Sequence, residues 1–430
     1  MAVIDFLINN IFMSAATILG LVALIGLIIQ KKPAAEVASG TLKTMMGMMI
    51  LSAGASVICG SLEYFSVWFA KGLHIDGAVA SIEAVLAVAM QDATIGRDIA
   101  LAYVLIFVVN IILARVTPLK YVFMNGEAPI YIAMSGILFG VGLLGFGHST
   151  AIVIAGILGG IWCLIWPALA QKSVRKITGS DDIALGHFCT LGYLLAGFVG
   201  KITGKEEDST ENTQVSTKFA WLQDTYMAIA VVMIPVYVIL AILAGPDCGV
   251  DCGNMNYIFF AFIQAITFCV GIFILLTGVR MLIEELVPAF KGIAEKVVPG
   301  ARPCLDCPVL FPFAPNAVVY GFIFTTIGTI IGMFLWPVFG LPMVIPSIMS
   351  NFFAGGTAGI FANAWGGRRG CIIGSIVHGL FISLLPAIIA PYLGSIDIAA
   401  IGSLASYTMT DVDCISFSLV YSWIIKLFVH

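Results

Sequence analysis

Residues 139–160 read FGVGLLGFGHSTAIVIAGILGG, and residues 358–379 read AGIFANAWGGRRGCIIGSIVHG. In register, Gly140 matches Gly359, Phe146 and Gly147 match Trp365 and Gly366, Ile154 matches Ile373, and Gly160 matches Gly379. What differs is charge. The turn holding His148 carries no Lys or Arg, whereas its counterpart carries Arg368 and Arg369. Lys and Arg favour the cytoplasmic side of a bilayer, so the two copies are expected to lie upside down relative to each other. Inverted repeats are a construction used by secondary transporters, which hold substrate near the midplane where the repeats meet.

Such a reading needs a chain made for lipid, and here 60% of residues are hydrophobic, 10% are charged and the mean hydropathy is +1.07. A soluble domain carries about 25% charged residues. The 430 residues accommodate roughly nine to eleven spans of about 20 residues each, so we expect an all-α polytopic membrane protein forming one integral unit. A net charge of -4 without a polybasic tail leaves nucleic-acid binding nothing to rest on. The first apolar run, residues 7–29, is too long for a signal-peptide core and lacks a positive region before it, so it is expected to stay as a membrane helix. The ten Cys are scattered through apolar runs and read as small hydrophobes. Cys248 and Cys252 would pair only in an oxidising space, and Cys304-Leu-Asp-Cys307 is a weak metal or redox signal by itself.

Two halves follow: residues 1–200 as a first inverted repeat, 201–218 as a hydrophilic cytoplasmic linker, and 219–430 as a second repeat. Apolar runs place spans near 7–29, 46–70, 98–114, 128–146 and 149–170, then near 225–244, 257–277, 318–341, 345–364, 371–392 and 412–428. Lys172, Arg175 and Lys176 mark a cytoplasmic end. Residues 183–200, flanked by Lys on both sides, are too short to cross twice and are expected to dip in and return, lining a cavity. Residues 280–302 read as an amphipathic interfacial helix on the cytoplasmic side. By inversion the counterpart at residues 31–44 should face outward, although Lys31, Lys32 and Lys43 conflict with that orientation.

An ionisable group inside hydrocarbon costs at least about 2.5–3.5 kcal/mol, so each one is a functional hypothesis. Five places qualify: Glu83, Glu127, the Asp182–His187 group, Asp306, and Asp411 with Asp413. Each lies beside Gly, Pro or a break in apolar periodicity, where freed backbone groups suit a ligand with many hydroxyls. Bland roles compete: Glu83 can end a helix at the interface, Asp181 and Asp182 can cap a helix N-terminus, and His187 can be a satisfied packing residue. Asp306, between Pro303, Pro308, Pro312 and Pro315, cannot sit in a regular helix, which favours a site role. No nucleophile–base triad, HExxH box or phosphate loop is present, so no catalytic residues, metal or cofactor are expected.

Residues 278–322, GVRMLIEELVPAFKGIAEKVVPGARPCLDCPVLFPFAPNAVVYGF, together with LGHF at 185–188 and AGGTAGIFANAWGG at 354–367, resemble the ascorbate-type IIC permease of the bacterial phosphotransferase system. The resemblance covers nearly the whole chain. It implies a homodimer in the bacterial cytoplasmic (inner) membrane, each subunit with a core transport domain holding two re-entrant hairpins and a V-shaped scaffold domain. It also implies elevator-type transport of a carbohydrate or polyol, coupled to phosphorylation by a separate IIB protein fed by IIA. The family's substrate contacts fall on Ile82, Glu83, Glu127, Tyr131, His187, Phe188 and Asp306. Only His187 and Asp306 keep the expected type; Ile82-Glu83, Glu127, Tyr131 and Phe188 stand where the family has Thr-Tyr, His, Gln and Gln. Three acidic groups would repel an anion, which brings a neutral sugar or polyol forward beside ascorbate. An ion- or proton-coupled transporter using Glu83, Glu127 and Asp306 as carriers is the alternative.

Overall fold

Backbone donors and acceptors in a bilayer must be satisfied within the protein, and this chain meets that demand with helices punctuated by very short strands. The computed structural model describes residues 15–73, 78–89, 92–125, 127–212, 225–294, 298–396 and 407–429. In the first half α1 (Ala15–Ile29), α2 (Ala34–Leu73), β1 (Ala78–Ala80), α3 (Ile82–Ala89), α4 (Ala93–Val116) and β2 (Tyr121–Phe123) are followed by α5 (Glu127–Ile137), α6 (His148–Thr178), β3 (Ala184–Leu185) and α7 (Thr190–Thr203). A π-helical turn, Leu138–Leu143, joins α5 to the break before α6. The second half has α8 (Thr225–Ala244), α9 (Tyr257–Ala294), β4 (Arg302–Leu305), a 3-10 helix (Cys307–Phe313) and α10 (Pro315–Leu335), then β5 (Val344–Ile345), α11 (Ile348–Gly394), β6 (Tyr407–Thr408) and α12 (Val412–Val429).

The order of elements in the second half is that of the first. Strands that correspond begin at 78 and 302, 121 and 344, and 184 and 407, separations of 224, 223 and 223 residues. Each half lends its central strand to the other: one parallel sheet runs β5-β1-β6 and the second runs β2-β4-β3. Such short strands, two to four residues long, satisfy backbone that no helix covers. The break between α5 and α6 at Gly145 and Gly147 also has a partner, the kink of α11 at Gly367.

Among the described residues five helices are long and apolar enough to cross a membrane: Thr94–Val116, His148–Thr178, Tyr257–Ile274, Pro315–Phe339 and Met349–Gly394. Shorter apolar helices include Ala128–Leu143 and Thr190–Thr203. Large apolar side chains such as Ile28, Leu169 and Ile202 remain exposed, as lipid-facing surfaces should. The first two helices of each half, α1, α2, α8 and α9, pack on one another, while α4–α7, α10 and α11 form a second group.

Three expectations change. Residues 280–294 are not a separate interfacial helix, because α9 continues unbroken from Tyr257 to Ala294. Nor do residues 31–44 lie at the opposite end from it: α2 runs antiparallel to α9, and Lys43 Nζ sits 2.8 Å from Glu285 Oε1. Residues 31–44 open their helix whereas 280–294 close theirs, so they are not equivalents, and the lysines no longer conflict with their neighbours. Finally, Asp181 caps no helix; it pairs with Arg175 at 2.8 Å and accepts from Gln171 Nε2.

The start of the hydrophilic segment is held firmly by the second half. Thr210 is fully buried and donates its backbone N–H to Asn363 Oδ1 at 2.9 Å. Glu211 accepts from Ala317 N at 2.9 Å, satisfying a free donor at the N-terminus of α10. Gly367 adopts φ +57, and a Cβ there would meet Lys205 O at 2.2 Å. Residues 213–218 of this segment lie outside the described residues.

Candidate substrate site

The site grows from β4 and β3. Pro303 at the central position of its sheet forbids helix, and the chain leaves the strand extended at Asp306 (φ -65, ψ 159) before the 3-10 helix begins. Asp306 Oδ1 accepts the N–H of Cys307 at 2.7 Å, which fixes one carboxylate oxygen. Beside it, β3 ends at Leu185, Gly186 N donates to Leu305 O at 2.7 Å, and His187 follows. A Cβ on Gly186 would lie 2.6 Å from Cys304 O, so only glycine allows this approach.

His187 Nε2 and Asp306 Oδ1 lie 4.0 Å apart, both partly exposed. Residues far apart along the chain are thus neighbours here. With Cys307 they form a group whose N, O and S atoms all lie within 4.8 Å of one another. At 4.0 Å the imidazole and the carboxylate are too far apart for a direct hydrogen bond, so they face each other unjoined.

Neighbouring elements carry the other residues that the sequence singles out. Asn125 Nδ2 donates to Gly186 O at 3.0 Å and its Oδ1 accepts from Ala128 N at 3.4 Å, which ties the N-terminus of α5, where Glu127 begins, to the His187 strand. Tyr131 is half-buried one turn further along α5. Ile82 opens α3 and is buried, and α3 packs against β6 and α5. Phe188 is fully buried and stacks on Phe123 at 5.1 Å. The backbones of Glu83 and Glu127 lie in α3 and α5, and their side chains are outside the described residues.

Some contributors were missed by reading the sequence. Tyr193 OH lies 2.8 Å from His187 Nδ1, and Asn125 anchors α5; neither is ionised inside lipid, so the search for stranded charge passed over both. Asp413, expected only as a stranded charge, accepts from Thr190 N at 2.7 Å and Leu191 N at 3.0 Å. It thereby caps α7 from the opposite half of the chain. Asp411 accepts from Cys189 Sγ at 3.7 Å.

Residues 183–200 leave and return at one place. Asp181 pairs with Arg175 and Glu206 with Lys176, at 2.8 and 2.5 Å, both at the C-terminal end of α6. The Arg175 guanidinium, hydrogen-bonded to Asp181, holds that carboxyl below the ordinary aspartate range. Trp365 Nε1 donates to Ser173 Oγ at 3.0 Å, and the ammonium groups of Lys172, Lys176 and Lys201 lie 5.3, 4.5 and 5.5 Å from its ring. Arg368 N donates to Asp208 O at 2.6 Å. The kink of α11 is therefore beside the basic end of α6, while His148 opens α6 at its far end, about 37 Å away at 1.5 Å per residue.

Apolar helices of spanning length, interrupted by strand tips that present an acid and an imidazole, define a helical multi-pass membrane protein. A model of the family described as "PTS system sugar-specific permease component" matches residues 10–412, and the chain belongs to that family. It is also similar to the "Ascorbate-specific PTS system EIIC component" of Mycoplasma pneumoniae (strain ATCC 29342 / M129 / Subtype 1), 25% identical over 419 residues, covering 85% of this chain and 63% of that protein. The chain thus matches under two thirds of the length of that curated relative.

Proposed function

We propose that this chain is the IIC transport subunit of a phosphotransferase system, moving ascorbate or a related sugar, sugar acid or polyol across the bacterial cytoplasmic membrane. The single observation that carries the reading is the facing pair His187 and Asp306, set at strand tips in a protein of this family. Asp306 accepts from a sugar hydroxyl, His187 adds a donor or acceptor, and the remaining wall is supplied by α3 and α5 with Ile82, Glu83, Glu127 and Tyr131, and by Phe188. The chain holds no catalytic residues of its own. A phosphorylated IIB protein, supplied by IIA, modifies the sugar after it reaches the inner face.

The recurrence of elements at 223–224 residues and the reciprocal strand exchange support a duplicated unit in inverted orientation, residues 1–200 and 219–430. The placement of His148 at one end of α6 and of Trp365, from α11, beside Ser173 near its other end supports the inversion. Within this reading α1, α2, α8 and α9 form the scaffold through which two copies pair as a homodimer. The other group is the core that shifts like an elevator, with residues 183–200 and the Asp306 segment as its two re-entrant hairpins. Vesicles loaded with phosphorylated IIB test the assignment. Phosphorylated sugar should appear only with IIB, and accumulation driven by a proton gradient without IIB would refute it.

A further inference from the structure

The wall behind His187 contains a side chain that the transport scheme leaves unused. Tyr193, near the start of α7, is fully buried. Its ring is clamped between Phe361, 5.5 Å away, and His378, stacked at 5.9 Å and 28°. Gly192 makes room for that clamp, since a Cβ there would meet His378 Cδ2 and Nε2 at 2.8 Å. With both faces of the ring held, the hydroxyl has one position, 2.8 Å from His187 Nδ1.

The direction of this hydrogen bond follows from what each group can offer. A phenol O–H must donate somewhere when buried, and among the described residues the hydrogen-bond partner of this one is Nδ1. Were the phenol to accept from Nδ1–H, its own proton would have no hydrogen-bond acceptor among the described residues. Nδ1 therefore accepts. A neutral imidazole carries one ring proton, which must then sit on Nε2, the nitrogen 4.0 Å from Asp306 Oδ1.

At that separation one oxygen lying beside both atoms can accept from Nε2–H and donate to the carboxylate at the same time. A sugar or polyol hydroxyl does both. A carboxylate or phosphate oxygen has no proton to donate and would face the charge of Asp306. We infer that Tyr193 is a positioning residue that locks His187 in the Nε2–H tautomer, and that it thereby selects a hydroxyl over an oxyanion at this point of the site. The inference rests on the reading of His187 and Asp306 as substrate contacts.

The test uses the full-length purified protein with 15N-labelled histidine. Wild type should show the His187 signal with Nε2 protonated and Nδ1 bare, and Tyr193→Phe should shift or mix the tautomers. In vesicle uptake with ascorbate and a neutral hexitol as probes, Tyr193→Phe should raise KM about tenfold with little change in maximal rate, the loss of one well-oriented hydrogen bond. Phe361→Leu, which loosens packing without touching the hydroxyl, should lower thermal stability and leave the tautomer as it is. A bare Nε2 in wild type overturns the proposal even where a variant fails to fold. So does a Tyr193→Phe protein with unchanged tautomer and KM while His187→Ala is disabled. Normal uptake by His187→Ala would instead remove the substrate site itself.

Discussion

The two strand tips share a backbone and differ in chemistry. Cys304 pairs on both sides within its sheet, as Val79 does in the other; two residues beyond them stand Asp306 and Ser81. Three residues beyond the paired residues Ala184 and Tyr407 stand His187 and Thr410. One tip thus carries an acid and an imidazole where the other carries two hydroxyls, and the hydroxyl tip opens on a small recess lined by Thr329, Ser347, Asn351 and Thr410. The turns diverge in the same way. A Cβ on Gly147 would stand in open space, whereas one on its register partner Gly366 would meet Gly200 O at 2.0 Å. At matching strand positions the backbone geometry recurs more strictly than the side chains, so one tip gathers ionisable groups from both halves while the other keeps only hydroxyls.

An all-or-none result would break this comparison first. With a membrane-impermeant thiol reagent on oriented vesicles, His148→Cys should react from outside only and Arg368→Cys from inside only; equal access at both would end the inverted reading. Next, Gly366→Ala should abolish folded protein, because its Cβ would be pressed onto the backbone of Gly200. Gly147→Ala should leave expression unchanged, and similar losses from both would erase the contrast between the turns.

The tips are compared by uptake. Asp306→Asn and His187→Ala should each reduce it at least about tenfold with expression intact, since hydrogen bonds to charged groups contribute about 1.5–3 kcal/mol and each 1.4 kcal/mol is about tenfold. Thr410→Val should cost at most about fivefold, a neutral bond of about 1 kcal/mol. A loss from Thr410→Val as large as that from Asp306→Asn would place the site between the tips instead of at one of them.

Helix caps give a smaller contrast. Asp413→Ala strips two donors of α7 across the halves and should cost about 2 kcal/mol, against about 1 kcal/mol for Ser347→Ala, which caps its own helix through Ser350 N. Thermal melting in detergent measures both, and the reverse order would deny the cross-half cap its importance. The weakest effect belongs to Asp181. Its folded-state pKa is depressed below 3.8, so its contribution is present above that value and is lost as pH falls through the lower folded one. Asp181→Asn should therefore cost no more than about 1 kcal/mol near neutrality, as an exposed pair does, and the gap to wild type should close below pH 3.8. A gap that persists in acid would point to packing instead of charge.

Much of this was legible in the chain. Long apolar runs point to membrane helices, Pro on both sides of Asp306 keeps that residue out of a helix, and Lys at each flank of residues 183–200 leaves a segment too short to cross twice. The strands were not legible: runs of two to four residues carry no periodicity, and each exists only because a partner from the other half completes its hydrogen bonds. Tyr193 and Asn125 were hidden for a related reason, since an uncharged side chain in an apolar run gives no local sign of what it touches.

By itself the sequence determined the solvent: its apolar content and its sparse charge commit the chain to lipid, where backbone satisfaction forces helices. Only the tertiary structure decided which polar groups meet. His187 and Asp306 are separated by more than a hundred positions and are joined by a parallel strand pair, an interaction whose partners are fixed by register in space and leave no periodic trace along the chain.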